Sequence, residues 1–265
     1  MNFAVAGGGR VSASFVARLP RLAVELGPVA AQSYRLASRI VNSIGAGRAV
    51  RDYADLGDSQ LILICAPAAG VASIVSALAD SVECRGKTIL LCEGGADSGH
   101  LALLKSKGSA VGSIRLIPGF DGRRFVAEGD RAAVREAKSL VRQIGGRVEE
   151  VDAAKMAMYA AGLSFGTGLF TPLMEASLQC FQDAGMTTAS AVKVVKALFQ
   201  SSLRAYTYAG KRSWSGPLAD GDLNASRREI EALAASKPLL AQYYRGAAAV
   251  ALQLIGTRHS SAKSA

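Results

Sequence analysis

Aromatic residues are scarce in this 265-residue chain: Phe, Tyr and Trp make up 6% of it, and Trp occurs once. That is not the composition of a sheet sandwich. Histidine is scarcer still, with only His100 and His259, both far in sequence from the four cysteines at 65, 84, 92 and 180. No two cysteines form a C-x-x-C pair, so neither a metal site nor a disulfide framework is expected. No stretch approaches the roughly 18 unbroken apolar residues of a membrane span, so no membrane association is expected. No basic leader precedes the first apolar run, and a cytoplasmic location is expected.

What remains is half hydrophobic and carries 28 glycines, the composition of a soluble, alanine-rich α/β protein. The formal net charge is +10. It divides evenly: residues 1–150 hold 19 basic and 14 acidic side chains, residues 151–265 hold 12 and 7. A nucleic-acid binder would concentrate that excess into a patch, and no basic run exists here, so no nucleic-acid partner is expected. A diffuse positive field still suits an anionic small molecule.

The chain opens MNFAVAGGGRVSASF. Phe3–Ala6 suits a buried parallel strand, and VSASFVARL can continue as a helix until Pro20. Between them Gly7 and Gly9 occupy the first two places of G-x-G-x-x-G, with Ser12 in the third. The first glycine permits a tight turn and the second lets backbone approach a pyrophosphate. The third would pack helix on strand, a job serine weakens without abolishing. Gly7, Gly8, Gly9, Arg10 and Val11 are therefore the first cofactor candidates, with the phosphate at the helix N-terminus.

Strand and helix then alternate. YRLAS reads as a second strand, LILIC as a continuous buried strand, and APAAG as a turn at its carboxyl end before the helical VASIVSALA. KTILLCEGG repeats the pattern, SIRLIPGF is a further short strand, RAAVREAKSLVRQIGG is an amphipathic helix stopped by glycines, and RVEEV is the last strand. From Asp152 onward only helical periods follow. The expectation is an α/β, Rossmann-type parallel-sheet domain over residues 1–151, an all-helical domain over 152–256, and a frayed tail over 257–265. In such a sheet ligands gather outside the strands' carboxyl ends. Three small-residue loops fall there, at Gly7–Val11, Ala66–Gly70 and Glu93–Asp97, and Ala66, Pro67 and Ala68 join the cofactor candidates.

The residue after the second strand separates the two nicotinamide cofactors. An acid there meets a free ribose hydroxyl, whereas arginine meets a 2′-phosphate. With YRLAS as that strand, Ser38 and Arg39 take the position and favour NADP over NAD. Arg48 and Arg51 are weaker candidates beyond the strand end.

FVAEGD at 125–130, KMAMY at 155–159 and SGPLADGD at 215–222 carry a resemblance over nearly the whole chain. The chain resembles bacterial Rossmann-like proteins with a C-terminal helical domain of unknown function, number 2520. That family is similar to pyrroline-5-carboxylate reductases and coenzyme F420-dependent NADP oxidoreductases. The resemblance implies a nicotinamide-binding domain, a helical domain that builds a homodimer, and an oxidoreductase activity. The family's His-Pro appears here as Ile117-Pro118, its Tyr-His as Tyr159-Ala160, and a helical Asn falls at about Gly168. Its Thr-Gly-Pro and Arg-Gly-Asp match Ser215-Gly216-Pro217 and Asp220-Gly221-Asp222.

With the histidines gone, Lys155 and Tyr159 are the best remaining pair for proton transfer, four residues apart and so on one helical face. The lysine could depress the tyrosine pKa or itself hold an anionic substrate. Ser215 and Asp222 sit on a loop stiffened by glycine and proline, where Asp222 could equally be a helix cap. Together these residues suggest an NADP-dependent oxidoreductase acting on a small imine or carbonyl compound at the domain seam. The alternative is a catalytically inactive dinucleotide-binding protein that acts as a sensor or interaction partner.

Overall fold

The computed structural model describes residues 3–7, 25–92 and 96–256. The chain divides into two compact units, Met1–Gly162 and Leu163–Ala265.

The first unit is built on one eight-stranded sheet. Its strands are β1 (Phe3–Gly7), β2 (Leu26–Ala30), β3 (Arg48–Ala49), β4 (Leu61–Cys65), β5 (Thr88–Cys92), β6 (Ala110–Leu116), β7 (Arg124–Gly129) and β8 (Arg147–Glu150). The spatial order is β3-β2-β1-β4-β5-β6-β7-β8. All neighbouring pairs are parallel except β6 and β7, which run antiparallel with Gly112 opposite Gly129. The chain therefore leaves β1 in one direction for β2 and β3, then returns to the other side of β1 for β4. That is a topological switch point, of the kind where open parallel sheets hold ligands.

Alternation along each strand splits the core into two layers. Phe3, Val5, Leu61, Leu63 and Leu90 pack on one face. The covering helices there are α1 (Tyr34–Ile44) and α4 (Arg131–Gln143), through Ile40, Ala137 and Val141. Ala4, Ala6, Ile62, Ile64 and Leu91 face the other way, against α2 (Ala68–Ser81) and α3 (Ala102–Ser106). Because both faces are covered, LILIC and ILLC are buried throughout. Each Leu or Ile so enclosed stabilises the fold by about 1.5–3 kcal/mol.

One expected strand is a helix. YRLAS belongs to α1, which begins after the Ser33 N-cap, whose hydroxyl accepts from the Leu36 amide, and stops at Gly45 with φ +75°. The second strand is instead Leu26–Ala30, LGPVA. Two registers, Phe3 opposite Leu26 and Val5 opposite Val29, leave Gly27 and Pro28 facing the single residue Ala4. This local bulge accommodates a proline within the sheet. The segment expected as the APAAG turn is also shorter, because α2 already begins at Ala68.

The second unit contains helices only among the described residues. A turn at Ala153–Lys155 leads into α5 (Met156–Gly166), which passes from the first unit into the second. Then follow α6 (Phe170–Asp183), α7 (Thr188–Ala209), α8 (Pro217–Asp220), α9 (Leu223–Ser236) and α10 (Pro238–Leu254). Helix α7 is capped by the Thr187 side chain and ends at Gly210, with φ +56°. No described helix is long and apolar enough to cross a membrane.

Candidate functional site

The carboxyl ends of β1 and β4 lie side by side at the switch point, with Gly7 directly opposite Cys65. Gly8, Gly9, Arg10 and Val11 fall outside the described residues. On the β4 side Ala66 is buried, and Pro67 caps α2 with no side-chain hydrogen bond to the helix. Pro67 and Ala68 are exposed. The Ala68 and Ala69 amides at the start of this 14-residue helix have no side-chain cap among the described residues and lie beside small side chains, an arrangement that suits an anion.

Ser38 and Arg39 do not occupy the end of the second strand. They lie in the second turn of α1, Ser38 half-buried and Arg39 exposed. The residues that follow β2 are Ala31, Gln32, Ser33, Tyr34 and Arg35, the last four exposed. Beyond β3, the Arg51 guanidinium stacks on the Tyr34 ring, 4.9 Å from its centroid. Two arginines and a hydroxyl thus cluster in chain position around the ends of β2 and β3. With YRLAS as the second strand, sequence reasoning passes over Ser33 and Arg35, because the strand in fact lies eight residues earlier.

The catalytic candidates divide between the units. Lys155 is exposed and closes the Ala153–Lys155 turn, which the Asp152 carboxylate caps by accepting from the Ala154 amide at 3.0 Å. Tyr159 is half-buried on α5, and its hydroxyl is fully enclosed with no hydrogen-bond partner among the described residues. Burial pushes the phenol above its ordinary pKa, and the nearby Arg115 charge pulls it back only in part. A depressed phenol pKa, one of the two roles open to Lys155, is not found: desolvation of the phenolate outweighs the Arg115 charge. The phenol stays protonated through the neutral range, the state of an acid rather than a base.

Arg115 itself is the residue that sequence reasoning overlooked. It stands near the carboxyl end of β6 and donates from Nη2 to the Ala96 carbonyl, while its buried Nε has no partner among the described residues. The available signal was a cation inside the apolar run SIRLI. In the second unit, Ser215 is exposed before Gly216, whose φ is +100°. Asp222 is the N-cap of α9, accepting from the Ala225 amide at 2.9 Å.

Residues 124–250 match the model of DUF2520, a domain of unknown function. The match begins in β7 with the run containing FVAEGD and extends through the helical unit into α10. Among solved structures, protein TM1727 from Thermotoga maritima is similar at 15% identity and a TM-score of 0.71, covering 96% of this chain and 98% of its own. A reductive aminase from Aspergillus terreus, in complex with NADPH and ethyl levulinate, is similar at 13% identity and a TM-score of 0.68, covering 96% and 95%. A pyrroline-5-carboxylate reductase from Coxiella burnetii is similar at 15% identity and a TM-score of 0.58, covering 96% and 98%. No curated protein matches the chain in sequence. The chain thus shares the fold of these structures, a sheet unit followed by helices.

Proposed function

We propose that the protein is an NADP-dependent oxidoreductase that reduces a small imine or carbonyl compound. The observation that carries this reading is the switch point, where the small residues Gly7 and Ala66 stand beside the N-terminus of α2, which has no side-chain cap. The pyrophosphate would lie there, with Gly8 to Val11 as its further contacts and Ala66, Pro67 and Ala68 along the other side. Preference for NADP is supported by Ser33, Arg35 and the Arg51–Tyr34 stack, which follow β2 and β3. A guanidinium already stacked on an aromatic ring loses less freedom on meeting a 2′-phosphate.

Tyr159 is the proton donor in this reading: its phenol is protonated and has no hydrogen-bond partner among the described residues, and its enclosed hydroxyl has to be uncovered to meet a substrate. Lys155 would hold an anionic substrate group. In the second unit Asp222 orders the loop that carries Ser215 through the helix cap.

Two copies would associate through the helical unit. Phe165, Leu203 and Leu239 are each about two-thirds or more exposed, and Tyr208 almost entirely so. An apolar groove of about 610 Å³ runs beside Leu173, Phe181, Leu233 and Leu240. Surfaces of this kind mark interfaces.

The test is a titration of NADPH and NADH into the parent, Arg35→Ala and Arg51→Ala, followed by turnover with cyclic imines and keto acids. Each arginine variant should lose roughly tenfold for NADPH and little for NADH. No NADPH binding in the parent would overturn the reading. Binding without turnover across these substrates would leave a dinucleotide-binding sensor or interaction partner.

A further inference from the structure

Glu128 is an acidic side chain in a strand whose neighbours Val126 and Ala127 are buried, and it is itself only 1% exposed. A carboxylate in such surroundings needs donors. It accepts from the Ser113 hydroxyl on the adjacent strand at 2.5 Å. It also accepts from the Ser98 hydroxyl at 2.6 Å and the Ser98 backbone amide at 2.8 Å. Ser98 opens the short 3-10 turn Ser98–Leu101, in the connection that leaves the carboxyl end of β5. Two residues beyond Ser113, on the same face of β6, Arg115 donates to the Ala96 carbonyl. The segment Ala96–Ser98 is therefore held through both a carbonyl and an amide.

The next two residues extend the grip. Gly129 has φ +120°, and a Cβ there would meet the Gly112 Cα and the Val111 carbonyl oxygen at 2.5 Å. Only glycine fits. The turn brings Asp130 to the Val111 amide at 3.0 Å and the Lys105 ammonium at 2.6 Å. Asp130 precedes α4 but makes no side-chain cap to it. Glu128 and Asp130 thus hold the β5–β6 crossover at Ser98 and at Lys105, near its two ends.

An apolar side chain could fill the space of Glu128 in the sheet, yet it could not take the Ser98 amide. The carboxylate is explained by the loop it holds. We propose that Glu128 is a positioning residue for the cofactor edge: it fixes Ala96–Ser98 at the carboxyl end of β5 in the conformation the nicotinamide cofactor meets. The cofactor half of this statement rests on the function proposed above.

The experiment compares the parent, Glu128→Ala and Glu128→Gln as full chains, by amide hydrogen exchange and NADPH titration. Glu128→Ala should speed exchange over residues 96–101 about tenfold or more, leave β1 and β4 unchanged, and weaken NADPH about tenfold. Glu128→Gln keeps an oxygen for the Ser98 amide and should recover much of both losses. Unchanged exchange at 96–101, or equal acceleration throughout the sheet, would overturn the positioning role. If Glu128→Ala fails to fold, Ser98→Ala removes one donor alone and should show the same local pattern at smaller size. A parent that binds no NADPH overturns the cofactor half, and the exchange pattern then decides the clamp by itself.

Discussion

The sheet unit and the helical unit bury their apolar residues to very different degrees. In β4, Ile62, Leu63 and Ile64 have no exposed surface at all. In the helical unit, α6 contains no buried residue, α7 buries only Ala191 and Val195 across 22 residues, and α10 buries only Ala241. Parallel strands are covered on both faces by their own crossover helices, so the sheet closes itself. The helices have apolar residues around more of their circumference than one another can cover. The first unit is a finished core. The second leaves large apolar side chains exposed among the described residues.

The largest effect should come from cutting into the finished core. Leu63→Ala removes a fully enclosed side chain and should cost about 2–5 kcal/mol in urea denaturation. Leu203→Glu, at a side chain 67% exposed, should cost the isolated chain little but lower the light-scattering mass from two chains toward one. A parent that is monomeric at micromolar concentration would break the comparison, because the helical surface would then have no partner copy.

Next in size is Tyr159→Phe. If the enclosed hydroxyl is the proton donor, kcat should fall about 100-fold while NADPH affinity stays nearly unchanged. Because that hydroxyl has no partner among the described residues to lose, its removal should not reduce folding stability, which thermal unfolding would check. Equal activity in the variant would move the donor role to another group or to water.

The smallest effect sharpens the contrast from the helical side. Tyr244 is held by burial, and by donation to Glu229 at 2.6 Å, at a pKa pushed up to about 12. Its folded pKa lies above the unfolded value of about 10, so its contribution is complete below pH 10 and lost as pH rises toward 12. Denaturation midpoints should therefore fall between pH 10 and 12 in the parent, and fall less in Tyr244→Phe.

Much of the sheet unit was legible because LILIC and TILLC are continuous apolar runs between turn signals, which parallel burial produces directly. The second strand was not. Gly27-Pro28 looks like a turn, and only the pairing with β1 shows that two residues can stand opposite one there. YRLAS alternates like a strand, yet Ser33 as a cap and Gly45 as a stop mark it as helix. That single misplacement moved the cofactor-specificity candidates from Ser33 and Arg35 to Ser38 and Arg39. FVAEGD was noticed as a motif, but its glutamate had no assigned task.

The sequence by itself determined the sheet-then-helix organisation, because hydrophobic period and glycine or proline punctuation act within a few residues of one another. Only the tertiary structure decided that β7 runs against β6, that Arg115 is the charge felt by Tyr159, and that Glu128 meets Ser98 across 30 residues of chain. Those relations depend on how whole elements pack. A buried donor must find its acceptor wherever the strands and crossovers bring one, and no local period records that meeting.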